Sequence, residues 1–220
     1  MLRFGSGRGA AVPCSLMAAA LLAAGCSTMP SDTVAYEPVP IGTTWAMSQT
    51  NAGSYGSGTG RVALRAGERT WQGERVLSTE GPAGAIISRA SDGLRIGALA
   101  PDGRPAFMLS PPVGPVFPLV PGKTWTATSQ MTLYPSGQVL PLQSEWKVHG
   151  FEQVTVPAGT FRTVRFSTVD RVNGTPWNED TYWYSPETRL VVKSALRRAS
   201  THPAGAGTRE GELLERPKSP

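Results

Sequence analysis

The run Thr124–Leu133 constrains the fold more than any other part of the chain. Threonines and a glutamine alternate in it with apolar or small residues: Trp125, Ala127, Ser129, Met131 and Leu133. Successive side chains of a strand point to opposite faces of the sheet, so a period of two is typical of a strand with one buried face. The run therefore predicts a half-buried antiparallel strand.

Turn signals divide the rest of the chain into similar β-rich runs. Asp92-Gly93, Ser136-Gly137 and Asn173-Gly174 favour tight hairpins, Pro157-Ala158-Gly159 joins two further runs, and Ala66-Gly67 separates two more. No long segment has helical periodicity. The fold class is therefore predicted as all-β, an antiparallel meander forming a curved sheet, a sandwich or a partly open barrel.

The predicted β-rich domain covers residues 40–215. Five prolines between Ser110 and Pro121 argue against a strand interior there. This segment, near 110–121, therefore predicts a long crossing or a boundary between two lobes. Residues 216–220 are expected to be a disordered tail.

The N-terminus has the pattern of an export signal. Arg3 and Arg8 precede an apolar run, Leu16–Ala24, and small residues then lead to Gly25-Cys26. The apolar run is too short to span a bilayer. Residues 1–25 are therefore predicted to be a signal peptide that is cleaved before Cys26.

The run Leu22-Ala23-Ala24-Gly25-Cys26 resembles the lipobox of bacterial lipoproteins, although Ala23 stands where leucine is commoner. The resemblance implies a diacylglycerol on the Cys26 thiol and an acyl chain on its amine, such as palmitate, with no other cofactor. Three long chains would hold the protein durably on a membrane. Ser27, where an aspartate would retain such proteins in the inner membrane, implies a periplasm-facing place on the outer membrane of a Gram-negative cell. Residues 26–39 are polar and proline-containing, and they predict a flexible tether.

The C-terminal third resembles a family of exported bacterial β-domain proteins of unknown function. The resemblance rests on the runs Val154–Phe161, Tyr182–Pro186 and Leu190–Lys193. It implies a β-rich sandwich or partly open barrel, and it carries no catalytic residues.

An aromatic cluster with neighbouring amide and carboxylate groups is the candidate ligand surface: Trp177, Asn178, Glu179, Tyr182, Trp183 and Tyr184. Aromatic faces beside polar groups suit a sugar ligand. The alternation also places Tyr182 and Tyr184 on one face of the strand and Trp183 on the other. In that case these rings pack in the core and in cross-strand pairs, and this structural role is favoured over ligand binding.

The residues argue against catalysis and against a metal. Ser144, His149 and Glu152 are the residue types of a triad, but alternation puts Ser144 and His149 on opposite faces of one strand. The sequence has two histidines, and Cys26 would be acylated, which argues against a zinc site. The basic residues are interspersed with acidic ones, so nucleic acid is not an expected partner.

These observations predict an outer-membrane-anchored periplasmic lipoprotein that acts as a non-catalytic binding or envelope-assembly module. Its expected partners are the membrane and a protein or glycan of the envelope. One alternative is a carrier that holds an acyl chain in an open barrel. The other is an envelope hydrolase, which would need a pair of converging carboxylates.

Overall fold

The computed structural model describes residues 33–219. Twelve strands follow one another along the chain: β1 (Thr44–Gly53), β2 (Gly58–Trp71), β3 (Glu74–Gly81), β4 (Gly84–Arg89), β5 (Arg95–Leu99), β6 (Pro105–Val113), β7 (Thr124–Leu133), β8 (Val139–Val156), β9 (Gly159–Val172), β10 (Thr175–Ser185), β11 (Leu190–Arg198) and β12 (Gly207–Leu213). The described residues contain no helix long and apolar enough to cross a membrane.

The strands form one closed antiparallel barrel. Each strand pairs with its neighbours in the sequence, and β1 closes the barrel by pairing with β12. Met47 stands at this closure, opposite Val62 of β2 on one side and Leu213 of β12 on the other. The prediction of an all-β antiparallel fold is confirmed, and closure removes the sheet edges that an open barrel would leave.

The barrel interior follows from the alternation of side chains. In β8, every second residue from Leu140 to Val148 is buried, and the residues between them are exposed. The predicted strand at β7 is confirmed, with Trp125 and Ala127 facing inwards and Thr126 outwards. Inward residues of β7, β8 and β9 form much of the apolar core.

The hairpins at Pro157-Ala158-Gly159 and Asn173-Gly174 are confirmed, because β8 ends at Val156 and β10 begins at Thr175. The predicted break at Ala66-Gly67 is wrong. Strand β2 passes through both residues, and the turn lies at Gln72-Gly73, where both φ angles are positive (50° and 83°). A Cβ on Gly67 would lie 2.7 Å from Oγ of Ser78, so this glycine allows close packing of strands.

The proline-rich segment 110–121 joins neighbouring strands of the same barrel, so it does not separate two lobes. Strand β6 continues through Pro111 and Pro112 to Val113, which contradicts the expectation that prolines exclude a strand here. The pairing of β6 with β7 ends at Ser110, so the two prolines lie beyond that ladder and need no amide hydrogen there.

Both ends of the predicted domain extend further than expected. Val34 pairs with Leu119, and Lys218 pairs with Thr44, each through an isolated bridge. Residues 33–39 therefore pack against the barrel, whereas residues 26–32 of the predicted tether lie outside the described residues. The predicted signal peptide and Cys26 also lie outside them.

Candidate functional site

The barrel contains a cavity of about 490 Å³. Its wall is mainly apolar and includes side chains from strands on opposite sides of the barrel: Met47, Leu77, Ile86, Phe166, Tyr182 and Tyr184. Ile86 belongs to this interior wall, and 40% of its surface remains accessible to solvent. The volume lies in the range of small-molecule sites, which are typically about 300–1,000 Å³.

Residues 36–39 form one side of the cavity mouth. Tyr36 packs against Phe117 with ring centroids 5.4 Å apart, and Glu37 makes an ion pair of 2.7 Å with Arg189. Backbone hydrogen bonds of 3.0 and 2.8 Å between Val34 and Leu119 hold the segment just before it. We call residues 33–39 the strap.

Two carboxylates lie in the barrel interior beside the cavity. Oδ1 of Asp170 accepts hydrogen bonds from the hydroxyls of Ser144 (2.6 Å) and Thr168 (3.4 Å). Oδ2 of Asp180 accepts one from the phenol of Tyr182 (3.0 Å). Both carboxylates are buried, and Tyr182 also lines the cavity. Tyr182 therefore connects the apolar cavity with this polar region.

Burial controls the charge of these groups. It raises the pKa of Asp180 to about 6, and the negative charge of Asp170 adds to this rise, while the Tyr182 hydrogen bond and Arg95 oppose it. Burial, together with Asp180, also raises the pKa of Tyr182 well above its usual value. Tyr182 is therefore a neutral hydrogen-bond donor at neutral pH.

Two buried polar atoms in this region have no hydrogen-bond partner among the described residues. They are Oδ1 of Asp180 and Nε of Arg95. Arg95 lies on β5, opposite Ser88 of the cavity wall, with its guanidinium 5.7 Å from the ring centroid of Phe107. We call Arg95, Asp170, Asp180 and Tyr182 the interior polar cluster.

The candidate ligand surface of the sequence does not exist as one surface. Tyr182 and Tyr184 line the cavity, whereas the indole of Trp183, in the opposite direction, donates a hydrogen bond of 2.5 Å to Glu152. The predicted alternation of these three aromatic residues is confirmed. Trp177 packs against core residues and the ring of His202, 4.9 Å away between centroids.

The two polar members of the predicted surface point to opposite faces of β10, and only Glu179 is exposed. Glu179 makes an exposed ion pair of 2.7 Å with Arg197, which accounts for its position without a ligand. Asn178 stands opposite Asp170 and Arg198 in the sheet.

The three residues of a triad are not brought together. Ser144 is buried and bonded to Asp170, whereas His149 is exposed on the other face and lies 2.8 Å from Oγ of Ser167. The prediction that Ser144 and His149 face opposite ways is confirmed. Within residues 33–219, no group of three or more His, Cys, Asp and Glu side chains is arranged to hold a metal.

Sequence reasoning missed Arg95, Asp170 and the role of Asp180. A signal was available for the two acids. In β9, Asp170 has the same parity as the inward Phe166 and Thr168, and in β10, Asp180 has the same parity as Tyr182 and Tyr184. An acidic residue at an inward strand position is costly without partners, and it therefore marks a polar site inside a barrel.

No family model and no curated protein matches the chain. Among solved structures, it is similar to the hypothetical lipoprotein YmcC from Escherichia coli (K12), with 13% identity and a TM-score of 0.44, over 82% of this chain and 90% of that one. It is also similar to a protein from Bacteroides fragilis NCTC 9343 described as exported and YmcC-like in fold. That match has 14% identity and a TM-score of 0.44, over 84% of this chain and 100% of that one. A third, described as a lipoprotein from Parabacteroides distasonis ATCC 8503, has 14% identity and a TM-score of 0.43, over 85% and 100%.

Proposed function

We propose that this protein is a lipid-anchored, non-catalytic module of the bacterial envelope that binds a molecule with an apolar chain in its barrel cavity. The observation that carries the proposal is the unfilled cavity of about 490 Å³ with its largely apolar wall. A ligand that covers apolar side chains such as Ile86 gains binding free energy. Each Å² of apolar surface removed from water contributes about 25 cal/mol.

The anchor part of the proposal rests on the lipobox-like run before Cys26. Acylation there would place the barrel beside a membrane, where molecules with apolar chains are abundant. The strap follows Cys26 in the chain and borders the cavity mouth, so an anchored chain would enter the domain next to the opening. The orientation on the outer membrane, facing the periplasm, belongs to the same proposal.

Ligand binding is tested with the mature chain carrying Cys26→Ser, which keeps the domain intact and free of its own lipid. The probe is N-phenyl-1-naphthylamine, whose fluorescence rises in apolar sites, followed by displacement with dodecanol. Thr79 is exposed within the cavity, so Thr79→Phe should fill part of it and weaken probe binding at least about tenfold. Thr126→Phe, on the outward face of β7, is the matched control and should bind normally.

Probe binding that is equal in Thr79→Phe and Thr126→Phe would place the ligand outside the cavity and would overturn this part of the proposal. The anchor is tested separately by growth with radiolabelled palmitate. The native chain should be labelled and Cys26→Ser should not, and labelling of the variant would overturn the anchor assignment.

A further inference from the structure

The unpartnered atoms of the interior polar cluster define what kind of group could complete it. Oδ1 of Asp180 is an acceptor without a donor, and Nε of Arg95 is a donor without an acceptor, among the described residues. A buried polar atom that lacks a hydrogen bond costs about 1–3 kcal/mol, or more when it is charged. A group that donates a hydrogen bond to Oδ1 of Asp180 and accepts one from Nε of Arg95 would therefore satisfy both atoms.

Arg95 and Asp180 do not line the cavity themselves, but each is next to a residue that does. Tyr182 contributes its ring to the cavity wall and its hydroxyl to Asp180. Arg95 comes from the other side of the barrel, where its cross-strand neighbour Ser88 also lines the cavity. The guanidinium acts electrostatically on both Asp180 and Tyr182, so the three groups share one interior region.

Several other charged groups of the region have partners of their own. Asp170 receives the hydroxyls of Ser144 and Thr168. Arg209 donates to Asn51 (2.8 Å), Arg198 donates to the backbone oxygen of Ser54 (3.1 Å), and both guanidinium groups lie against the ring of Tyr55. Among the charged groups, Nε of Arg95 and Oδ1 of Asp180 are the atoms that a ligand could complete.

The charges of the cluster select among head groups. A carboxylate in this region would be repelled by two buried acids, Asp170 and Asp180, and such repulsion is strong where water is excluded. An ammonium group would face the guanidinium of Arg95 and could not accept from its Nε. An uncharged hydroxyl or carboxamide can donate to Asp180 and accept from Arg95 at the same time.

We infer that the interior polar cluster is the head-group subsite of the cavity, and that it recognises an uncharged hydroxyl or carboxamide at the end of an apolar chain. The inference rests on the proposed function, because the chain must occupy the cavity for the head to reach the cluster. Arg95 and Asp180 are then specificity-determining residues: the guanidinium supplies a donor and the carboxylate an acceptor, and each rejects one kind of charged head.

The test uses the mature Cys26→Ser chain at pH 7.5 and four probes of equal chain length: dodecanol, dodecanamide, dodecanoate and dodecylamine. Isothermal titration calorimetry measures each affinity. Dodecanol and dodecanamide should bind at least about tenfold more tightly than the carboxylate and the amine. This comparison needs no variant, so it holds even if changes in the cluster impair folding.

Two variants then assign the roles. Asp180→Asn removes one negative charge and supplies an amide donor, so dodecanoate should gain affinity relative to dodecanol. Arg95→Met keeps a long apolar side chain but removes the donor and the positive charge, so the disadvantage of dodecylamine should shrink. Glu179→Gln, on the exposed side of β10, should leave the order of the four probes unchanged.

The outcomes separate this inference from the proposed function. Equal affinities for all four head groups would mean that water is sufficient to satisfy the cluster, and they would overturn the inference while the cavity remains a chain-binding site. Tighter binding of the carboxylate or the amine would also overturn it. Binding of none of the four probes would overturn the proposed function itself.

Discussion

The hydroxyl of Tyr182 donates a hydrogen bond of 3.0 Å to Oδ2 of Asp180, two residues earlier on the same face of β10. This is the only hydrogen bond that a described side chain gives to the Asp180 carboxylate, whose Oδ1 has no partner among residues 33–219. The backbone amide of Arg197 is a further donor, but burial outweighs both hydrogen bonds and raises the pKa of Asp180. A carboxylate in low dielectric needs several donors or a close opposite charge to remain ionised without cost. The protein therefore maintains this charge at a cost in folding free energy.

The first prediction is that Asp180→Asn stabilises the protein at high pH. The folded pKa of about 6 lies above the ordinary value of 3.8, so the folded state binds this proton more tightly than the unfolded state. The resulting stability is present below pH 3.8 and is lost as pH rises through about 6, at most about 3 kcal/mol. At pH 8 the uncharged amide of the Asp180→Asn variant avoids this loss, and urea unfolding should show a gain of about 1–3 kcal/mol that is absent at pH 4.

The control for this prediction is Glu179→Gln, the residue that precedes Asp180 on β10. Its carboxylate is exposed and makes an ion pair with Arg197, so its loss should change the free energy of unfolding by less than about 1 kcal/mol. A gain for Asp180→Asn that is equal at pH 4 and pH 8 would contradict the assigned pKa.

The second prediction concerns the donor. Tyr182→Phe removes the hydrogen bond to Asp180 and should raise the pKa of that carboxyl further, because the bond favours the ionised form. The free energy of unfolding should fall by about 1.5–3 kcal/mol at pH 8, where the acceptor is charged, and by less at pH 4. Urea titrations at the two pH values measure the difference. Tyr184→Phe is the matched control, since the charges that act on that phenol are Glu37 and Arg189 at the mouth.

The sequence predicted well those elements whose backbone conformation depends only on residues close together in the chain. The turn at Asn173-Gly174 needs two positive φ angles (51° and 76°), and these residue types adopt them readily. The turn at Gln72-Gly73 was missed because glutamine rarely occupies such a position. Gly67 was misassigned because its small size is required by Ser78 on the neighbouring strand, which no local pattern reveals.

Long-range features of the site had no local signal. Barrel closure pairs Met47 with Leu213, which lie far apart in the chain. Alternation in β10 correctly gave the direction of Tyr182, but it could not show that Arg95 of β5 lies near the same carboxylate. The cavity exists because the side chains of Leu77 and Ile86 do not reach Phe166 across the barrel. The width of the barrel decides this, and it depends on the number and tilt of the strands, which the sequence did not give.

The third prediction is that the stacked pair Trp125–Trp146 is a structural element of the barrel. The two rings are 5.6 Å apart between centroids and nearly parallel, with an angle of 3°. Trp146→Ala should lower the free energy of unfolding by about 3–5 kcal/mol, because it leaves a large hole in the core. Coupling between stacked indoles gives a characteristic circular dichroism signal, which Trp125→Phe or Trp146→Phe should abolish. Trp183→Phe, beside Lys193 and Glu152, should keep the signal.

The last prediction tests whether the strap is part of the folded domain. Val34 is 6% exposed and exchanges two backbone hydrogen bonds with Leu119, whereas its neighbour Ala35 is exposed. Val34→Asp should therefore lower the free energy of unfolding by about 1.5–3 kcal/mol, the value of burying such a side chain, and Ala35→Asp should change it little. Hydrogen exchange should show protected amides at Val34 and Leu119 in the native chain and in Ala35→Asp, with protection lost in Val34→Asp. A flexible tether would give equal effects for the two substitutions and rapid exchange at Val34, because neither side chain would then contact the barrel.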